Sequence, residues 1–248
     1  MKRLLLVVLM LVSAFMVDVL PDMMPVQDAE SVDEMGYCLI DYACATSFPR
    51  EFMELKDVSR RKKFLIDTLL PLVLKANRDI LAQRTELLRI KKASFYLSIN
   101  DIRFIEDLAD YYRVPRGDHR VMLDELLVRV DVLPPSLVLA QAAIESAWGT
   151  SRFAVKGNNL FGLRSRSGKG MVPRESESGR PIGLSTFDSL QACIDYYIWN
   201  INTHPEYARL RYIRTLHASP YNPVNLAQGL STYSESGHAY VGDVVDMI

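Results

Sequence analysis

Residues 139–149 read LAQAAIESAWG, and residues 158–162 read NNLFG. Pro135 suits the first position of a helix, and apolar side chains recur from there at steps of three and four residues. Gly149 favours the turn that ends such a helix. The pattern therefore predicts an apolar helix whose last turn carries Glu145.

The position of Glu145 suits a proton donor. The negative end of the helix dipole disfavours an ionised carboxylate in the last turn, and apolar neighbours such as Trp148 add a desolvation cost of the same sign. Both effects raise a carboxyl pKa, and a protonated Glu can donate to the leaving oxygen of a glycosidic bond. Spacing alone leaves a second interpretation open, in which Glu145 faces solvent or caps backbone amides of the next loop.

The flanking sequence predicts further helices and one hairpin. Apolar residues recur at helical steps from Leu55 to about Lys92, and Pro71 predicts a break or kink in that stretch. Two shorter helices are expected before the apolar helix, and four more are expected from residue 188 onward. Residues 162–187 are rich in Gly and Ser with a turn candidate at residues 178–179, which predicts a two-stranded hairpin.

Charge and cysteine content exclude several classes of function. The chain has 29 Lys and Arg against 30 Asp and Glu, so no overall positive field attracts a phosphate backbone, and nucleic acid is not expected as a partner. Three cysteines are too few for a disulfide scaffold. The His and Cys residues lack metal-binding spacing and no Gly-x-Ser-x-Gly elbow occurs. We therefore expect no metal and no cofactor.

Residues 1–20 resemble an export signal. A basic pair precedes an apolar run from Leu4 to Val12, and residues 12–14 are small enough for a signal-peptidase site. Apolar character continues to Leu20, which leaves an uncleaved inner-membrane anchor as the alternative, since a span needs about 17 apolar residues. Both interpretations place the rest of the chain outside the cytoplasm, in the periplasm or cell envelope.

The segments AQAAIESAWG and GNNLFGL, at residues 140–149 and 157–163, resemble the signature of the glucosaminidase family, glycoside hydrolase family 73. Members of that family hydrolyse bacterial peptidoglycan. The catalytic Glu of the family falls on Glu145. Three further segments resemble the Bax-type bacterial members: TFDS at 186–189, NTHPEY at 202–207 and LSTYSESGHAY at 230–240.

The resemblance implies a mainly α, lysozyme-like helical domain with a small β-hairpin lobe, preceded by a helical N-terminal region. We assign residues 118–248 to the glucosaminidase catalytic domain. Residues 21–117 form the linker and helical N-terminal region, and residues 1–20 form the signal peptide or membrane anchor.

In several family members the hairpin lobe carries a second acidic residue. Glu175 and Glu177 both lie in the predicted hairpin, and at a spacing of two they share one face of a strand. This spacing does not choose between them. Counted back from the turn, Glu175 falls where the hairpin Glu of the family lies, so the resemblance favours Glu175. A separation from the acid of about 5 Å suits a covalent intermediate, whereas about 6.5–9.5 Å leaves room for a water. Participation by the substrate's own acetamido group is a third route.

The resemblance also implies residues that bind the substrate. A functional Tyr lies near the end of the family's domain, and Tyr233 or Tyr240 can fill that position. Trp148 and Phe161 can stack on sugar rings, and Asn159 belongs to the family motif. We therefore expect these five residues to bind the glycan.

The sequence thus predicts an exported hydrolase of peptidoglycan. It would cleave β-1,4 bonds on the N-acetylglucosamine side of the glycan strand, with Glu145 as general acid. One alternative is a lytic transglycosylase, which shares the Glu-Ser dipeptide but forms an anhydro-muramic end. Another is a non-catalytic wall-binding protein that keeps the fold without turnover.

Overall fold

A computed structural model describes residues 46–93, 96–165, 170–171, 183–217 and 220–248. These residues form ten α-helices and two 3-10 turns. The helices are α1 (Arg50–Glu54), α2 (Val58–Lys92), α3 (Ile99–Tyr112), α4 (His119–Arg129), α5 (Pro135–Glu145), α6 (Arg152–Gly157), α7 (Leu190–Thr203), α8 (Ala208–Thr215), α9 (Pro223–Ala227) and α10 (His238–Met247). The 3-10 turns are Pro205–Tyr207 and Gln228–Leu230. The predicted mainly α fold class is confirmed.

Short polar side chains set the start of most helices. At α3, Ser98 Oγ accepts a hydrogen bond from the Asp101 amide at 3.1 Å, and the Asp101 carboxylate accepts one from the Ser98 amide at 2.9 Å. This pair is a capping box. α5 begins differently, because Pro135 occupies its first turn, where an amide hydrogen has no intrahelical acceptor.

α2 runs unbroken through Pro71, so the break predicted there is not found. A proline inside a helix costs about 3 kcal/mol, partly because the carbonyl four residues earlier loses its partner. That carbonyl belongs to Asp67, an exposed residue. The buried face of α2 continues on both sides of the proline, with Leu69 and Leu72 each 1% exposed. Each buried leucine contributes about 1.5–3 kcal/mol, and together these contacts outweigh the cost.

The helices enclose α5. α2 packs against α5 and also against α4 and α7. α9 and α10 pack against α5 as well. α5, which ends at Glu145, is therefore packed by helices from both the N-terminal region and the C-terminal part of the chain.

A buried charged cluster centred on Asp131 joins α2, α4, α7 and α8. Asp131 forms an ion pair with Arg84 of α2 at 3.3 Å and accepts a hydrogen bond from the Tyr221 hydroxyl at 2.6 Å. Arg214 of α8 is 1% exposed and donates to Asn202 Oδ1 at 2.9 Å and to four backbone carbonyls around Asp131. Burial lowers the pKa of Arg214 to about 10. The cluster fixes the segment that precedes α5.

The predicted hairpin lobe is not confirmed. Residues 172–182, which include Glu175 and Glu177, lie outside the described residues. The described flanks are joined by two isolated antiparallel bridges that pair Leu184 with Arg164 and with Met171.

The predicted signal or anchor at residues 1–20 also lies outside the described residues. Within the ranges that are described, no helix combines the length and the apolar character needed to cross a bilayer. The boundary assigned between residues 117 and 118 stays a prediction.

Candidate active site

Glu145 is the last residue of α5, and a tight turn follows it. The Ser146 hydroxyl donates to the Ala142 carbonyl at 2.5 Å and accepts from the Gly149 amide at 2.7 Å. The Trp148 amide donates to the Ala143 carbonyl at 2.8 Å. The Ser146 hydroxyl thus gives the Gly149 amide an acceptor and links it to the last turn of α5, which fixes the backbone beyond Glu145.

The N-terminal helices press against this turn at Gly149. Gly149 has φ +79°, and a Cβ at this position would lie 2.9 Å from Leu65 of α2 and 2.9 Å from the ring of Phe52 of α1. Any larger residue would overlap these buried side chains. The turn after Glu145 is therefore built against the helical N-terminal region.

The loop that follows α6 is fixed by hydrogen bonds to the side chain of Asn159, which is 1% exposed. Its amide nitrogen donates to the carbonyls of Leu163 and Ser185, both at 2.9 Å. Its amide oxygen accepts from the Leu163 amide at 2.9 Å. These bonds close the loop around Phe161 and Gly162, so both ends of the Asn159 side chain are occupied by backbone.

Gly162 brings this loop against the carboxylate. It has φ +64°, and a Cβ built on it would lie 3.5 Å from Glu145 Oε2. Glycine adopts this backbone conformation without the cost that a side chain adds. Gly162 also lines the groove described below, whereas Glu145 is not among the lining residues. The Glu145 carboxylate therefore lies next to the groove, on the other side of a residue that has no side chain.

The surroundings of Glu145 favour its protonated form. Burial raises the pKa of Glu145 above its usual value, and a hydrogen bond from Tyr240 opposes that rise. Tyr240 is 4% exposed, and burial together with the nearby Glu145 charge raises the pKa of its hydroxyl. Tyr240 therefore keeps its proton and acts as a hydrogen-bond donor to the carboxylate.

A chain of hydrogen bonds leads from Tyr240 into the core. The Gln141 side-chain nitrogen donates to Tyr240 Oη at 2.9 Å. The Gln141 side-chain oxygen accepts from the Tyr197 hydroxyl. Gln141 is completely buried and lies one helical turn before Glu145.

A groove of about 480 Å³ opens beside this site. Its walls come from the 159–163 loop, from α7, from the first 3-10 turn and from the segment that precedes α10. The lining residues are Phe161, Gly162, Leu163, Arg164, Ser165, Tyr196, Asn200, His204, Glu206, Tyr207, Thr232, Tyr233, Ser234 and Glu235. Aromatic faces next to polar side chains suit a sugar, which has apolar ring faces and many hydroxyls.

Several residues predicted for the site meet here. Tyr233 lines the groove, donates to the Phe161 carbonyl at 2.8 Å and stacks on Tyr240 at a ring distance of 5.4 Å. Phe161 also lines the groove and stacks on Tyr197 at 3.9 Å. Glu145, Phe161, Tyr233 and Tyr240 are thus brought together.

The other predicted site residues lie elsewhere. Asn159 is buried beneath the loop. Trp148 is half-buried, with the Lys62 ammonium 4.5 Å from the centre of its ring, and is not among the residues that line the groove. Glu175 lies outside the described residues. No cluster of three or more His, Cys, Asp or Glu side chains in the described part of the chain is placed to hold a metal ion.

Gln141 was quoted in the sequence signature but not predicted as a site residue. A polar residue one turn before Glu145, on the buried side of an apolar helix, is the signal that points to it. His204 and Tyr207 line the groove but were also not predicted. They are far in sequence from residues 161–165, which line the same groove, and no local pattern relates the two segments.

Comparison with known proteins identifies a family and relatives. Residues 122–248 match the glucosaminidase family model, described as mannosyl-glycoprotein endo-β-N-acetylglucosaminidase. The chain is 31% identical to Bax of Escherichia coli K12 over 185 residues, which is 73% of this chain and 66% of Bax. It is 27% identical to the exo-glucosaminidase LytG of Bacillus subtilis 168 over 143 residues, which is 53% of this chain and 49% of LytG. The match thus spans less than two thirds of either relative.

Among solved structures, the chain is similar to the catalytic domain of the autolysin Auto from Listeria monocytogenes. The TM-score is 0.44 at 16% identity, covering 81% of this chain and 93% of that domain. The family model spans about half of the chain and includes Glu145 together with all the residues that line the groove. The chain therefore belongs to the glucosaminidase family of glycoside hydrolases.

Proposed function

We propose that this protein hydrolyses β-1,4 bonds of peptidoglycan glycan strands on the N-acetylglucosamine side, with Glu145 as the general acid. The observation that carries the proposal is the half-buried Glu145 carboxyl, whose pKa burial raises, next to Gly162, which lines a sugar-sized groove. The family membership supports it, as does the name of the relative LytG, an exo-glucosaminidase.

In the proposed reaction, the protonated Glu145 donates its proton to the oxygen that bridges two sugars. The bond from the anomeric carbon to that oxygen then breaks, and the leaving sugar departs as an alcohol. Water adds to the anomeric carbon, and its proton passes to a base. The net reaction consumes one water for each glycosidic bond that breaks, and it requires no cofactor.

The groove supports a sugar substrate through its aromatic lining. Tyr196, Tyr207 and Tyr233 present aromatic rings, and His204 and Glu206 present hydrogen-bonding groups in the same groove. Rings of this kind pack against the apolar face of a pyranose, and polar groups between them bind its hydroxyls.

We further propose Glu175 as the residue that activates the attacking water. This rests on its place in the family's hairpin. Glu175 lies outside the described residues, so Glu177 and the substrate acetamido group remain the alternatives for this step. The export signal at residues 1–20 would deliver the enzyme to the wall, either as a soluble protein or on a membrane anchor.

The experiment is a digest of purified peptidoglycan followed by mass spectrometry of the products. A glucosaminidase releases fragments that carry water and end in a reducing N-acetylglucosamine. Fragments that end in anhydro-muramic acid, lighter by one water, would instead support the lytic transglycosylase. Unchanged sacculi that still bind the protein would support the non-catalytic wall-binding protein.

A further inference from the structure

We propose that Gln141 is a positioning residue for Glu145. Its side-chain amide sets the direction of a hydrogen-bond chain that runs from Tyr197 through Gln141 and Tyr240 to the Glu145 carboxyl. The proposal deepens the proposed function and rests on it, because Glu145 is taken as the general acid.

The direction follows from counting protons. A phenol has one proton to donate, and Tyr240 already accepts a hydrogen bond from the Gln141 nitrogen at 2.9 Å. Its own proton is therefore available for Glu145. Tyr197 donates to the Gln141 oxygen. An amide can accept from one phenol and donate to the other at the same time, whereas a carboxylate accepts from both.

Burial and ring stacking fix the residues of the hydrogen-bond chain. Gln141 and Tyr197 are completely buried, so water does not compete for their hydrogen bonds. Tyr197 stacks on Phe161 at 3.9 Å, and Tyr240 stacks on Tyr233 at 5.4 Å. With both phenol rings fixed by stacking, only the amide orientation that points its nitrogen at Tyr240 leaves the Tyr240 proton for Glu145, because a reversed amide would accept that proton itself.

The consequence concerns the acid's proton. The Glu145 oxygen that accepts from Tyr240 serves as the carbonyl oxygen of the protonated carboxyl group. The proton then lies on the other oxygen, from which it can be donated. Because hydrogen bonds in a chain polarise one another, the Gln141 bond makes Tyr240 a stronger donor to Glu145.

Tyr207 and Tyr233 also face Glu145, and burial raises the pKa of both hydroxyls. Both therefore stay neutral over the working pH range. Among the described residues, burial and the Tyr240 hydrogen bond are the influences on the pKa of Glu145. A change in that pKa after substitution of Gln141 thus reports on Tyr240.

The first test is a double-mutant cycle between Gln141→Met and Tyr240→Phe. Gln141→Met is expected to lower kcat about 3- to 10-fold, in the range of coupling between hydrogen-bonded side chains, with KM changed less than about twofold. In the Tyr240→Phe background the same substitution should have almost no further effect, because Gln141 acts through Tyr240. Two effects that simply multiply would overturn the proposal.

The second test is the pH profile. A general acid loses activity as pH rises through its pKa, and the Tyr240 hydrogen bond lowers the pKa of Glu145. Weakening that bond should move the basic limb to higher pH, in the order wild type, Gln141→Met, Tyr240→Phe. Tyr221→Phe is the matched control, since it removes another tyrosine hydrogen bond, to the buried Asp131. It should leave the limb in place.

A readout independent of activity separates this proposal from the proposed function. The carboxyl carbon of Glu145 can be followed by NMR in ¹³C-labelled protein, with Glu145→Gln identifying its signal. The titration midpoint should rise in Gln141→Met and, if that variant does not fold, in the more conservative Tyr197→Phe. An unmoved midpoint would overturn the proposal even in an active enzyme. A moved midpoint in an inactive protein would keep the network and reject the proposed function.

Discussion

Replacing Gly149 with Ala tests whether the N-terminal helices hold the turn that follows Glu145. The added Cβ would lie 2.9 Å from Leu65 Cδ1 and from two ring atoms of Phe52. One or both side chains would have to shift, and both are packed in the core. Leu65 and Phe52 are at most 1% exposed, and the Phe52 ring is stacked with Phe48 at 4.6 Å and with Phe64 at 5.1 Å.

Two contributions set the expected loss of stability. Gly149 has φ +79°, and placing a residue with a Cβ in the left-handed region costs about 1–2 kcal/mol. Forcing an extra methyl group into a packed core costs about 1–3 kcal/mol. The free energy of unfolding should therefore fall by about 3 kcal/mol, which corresponds to about 6–12 °C in Tm for a domain of this size.

Urea unfolding followed by circular dichroism measures this loss, and Gly162→Ala is the matched control for stability. Gly162 has φ +64°, and a Cβ there meets its nearest atom at an ordinary 3.5 Å. The control should therefore lose only the backbone contribution, about 1–2 kcal/mol. If the two variants lose the same free energy of unfolding, the N-terminal helices do not press on the turn and the reasoning is wrong.

Three further predictions follow from the described contacts and the predicted hairpin. Tyr221→Phe removes the hydrogen bond to the buried Asp131 and should lower the free energy of unfolding by about 1.5–3 kcal/mol; urea unfolding unchanged from wild type would contradict it. Because burial raises the pKa of Glu145, wild type loses stability as pH rises through that pKa. Glu145→Gln should match the wild-type Tm at pH 4 and exceed it at pH 8, and a constant difference would count against the burial effect. Glu175→Gln should lower kcat more than Glu177→Gln; if neither slows turnover more than about threefold, roughly 0.7 kcal/mol of barrier, the substrate acetamido group becomes the better candidate.

Local pattern predicted the parts of the site that depend on one element. The apolar run after Pro135 placed Glu145 in the last turn of its helix, and α5 ends at that residue. Tyr233 and Tyr240 were proposed from the family's ending, and both lie beside the carboxyl. These features depend on helical spacing and on motif residues, which a single sequence displays.

The sequence pattern did not predict contacts between residues that are far apart along the chain. Gln141 and Tyr240 are 99 positions apart, and no periodicity relates them. The unbroken helix at Pro71 likewise depends on what α2 packs against, because contacts with other helices outweigh the local cost of proline. Tertiary packing decided both outcomes.

The most direct test of Glu145 as the general acid is the rate at which Glu145→Gln cleaves purified peptidoglycan, measured as new reducing ends. The amide has nearly the shape of the carboxyl group but cannot act as an acid, so folding should be retained while kcat falls about 100-fold or more. Circular dichroism and Tm report whether the variant is folded. Loss of turnover in a folded variant is the result we expect, and a folded variant that keeps more than about one per cent of wild-type turnover would contradict the assignment.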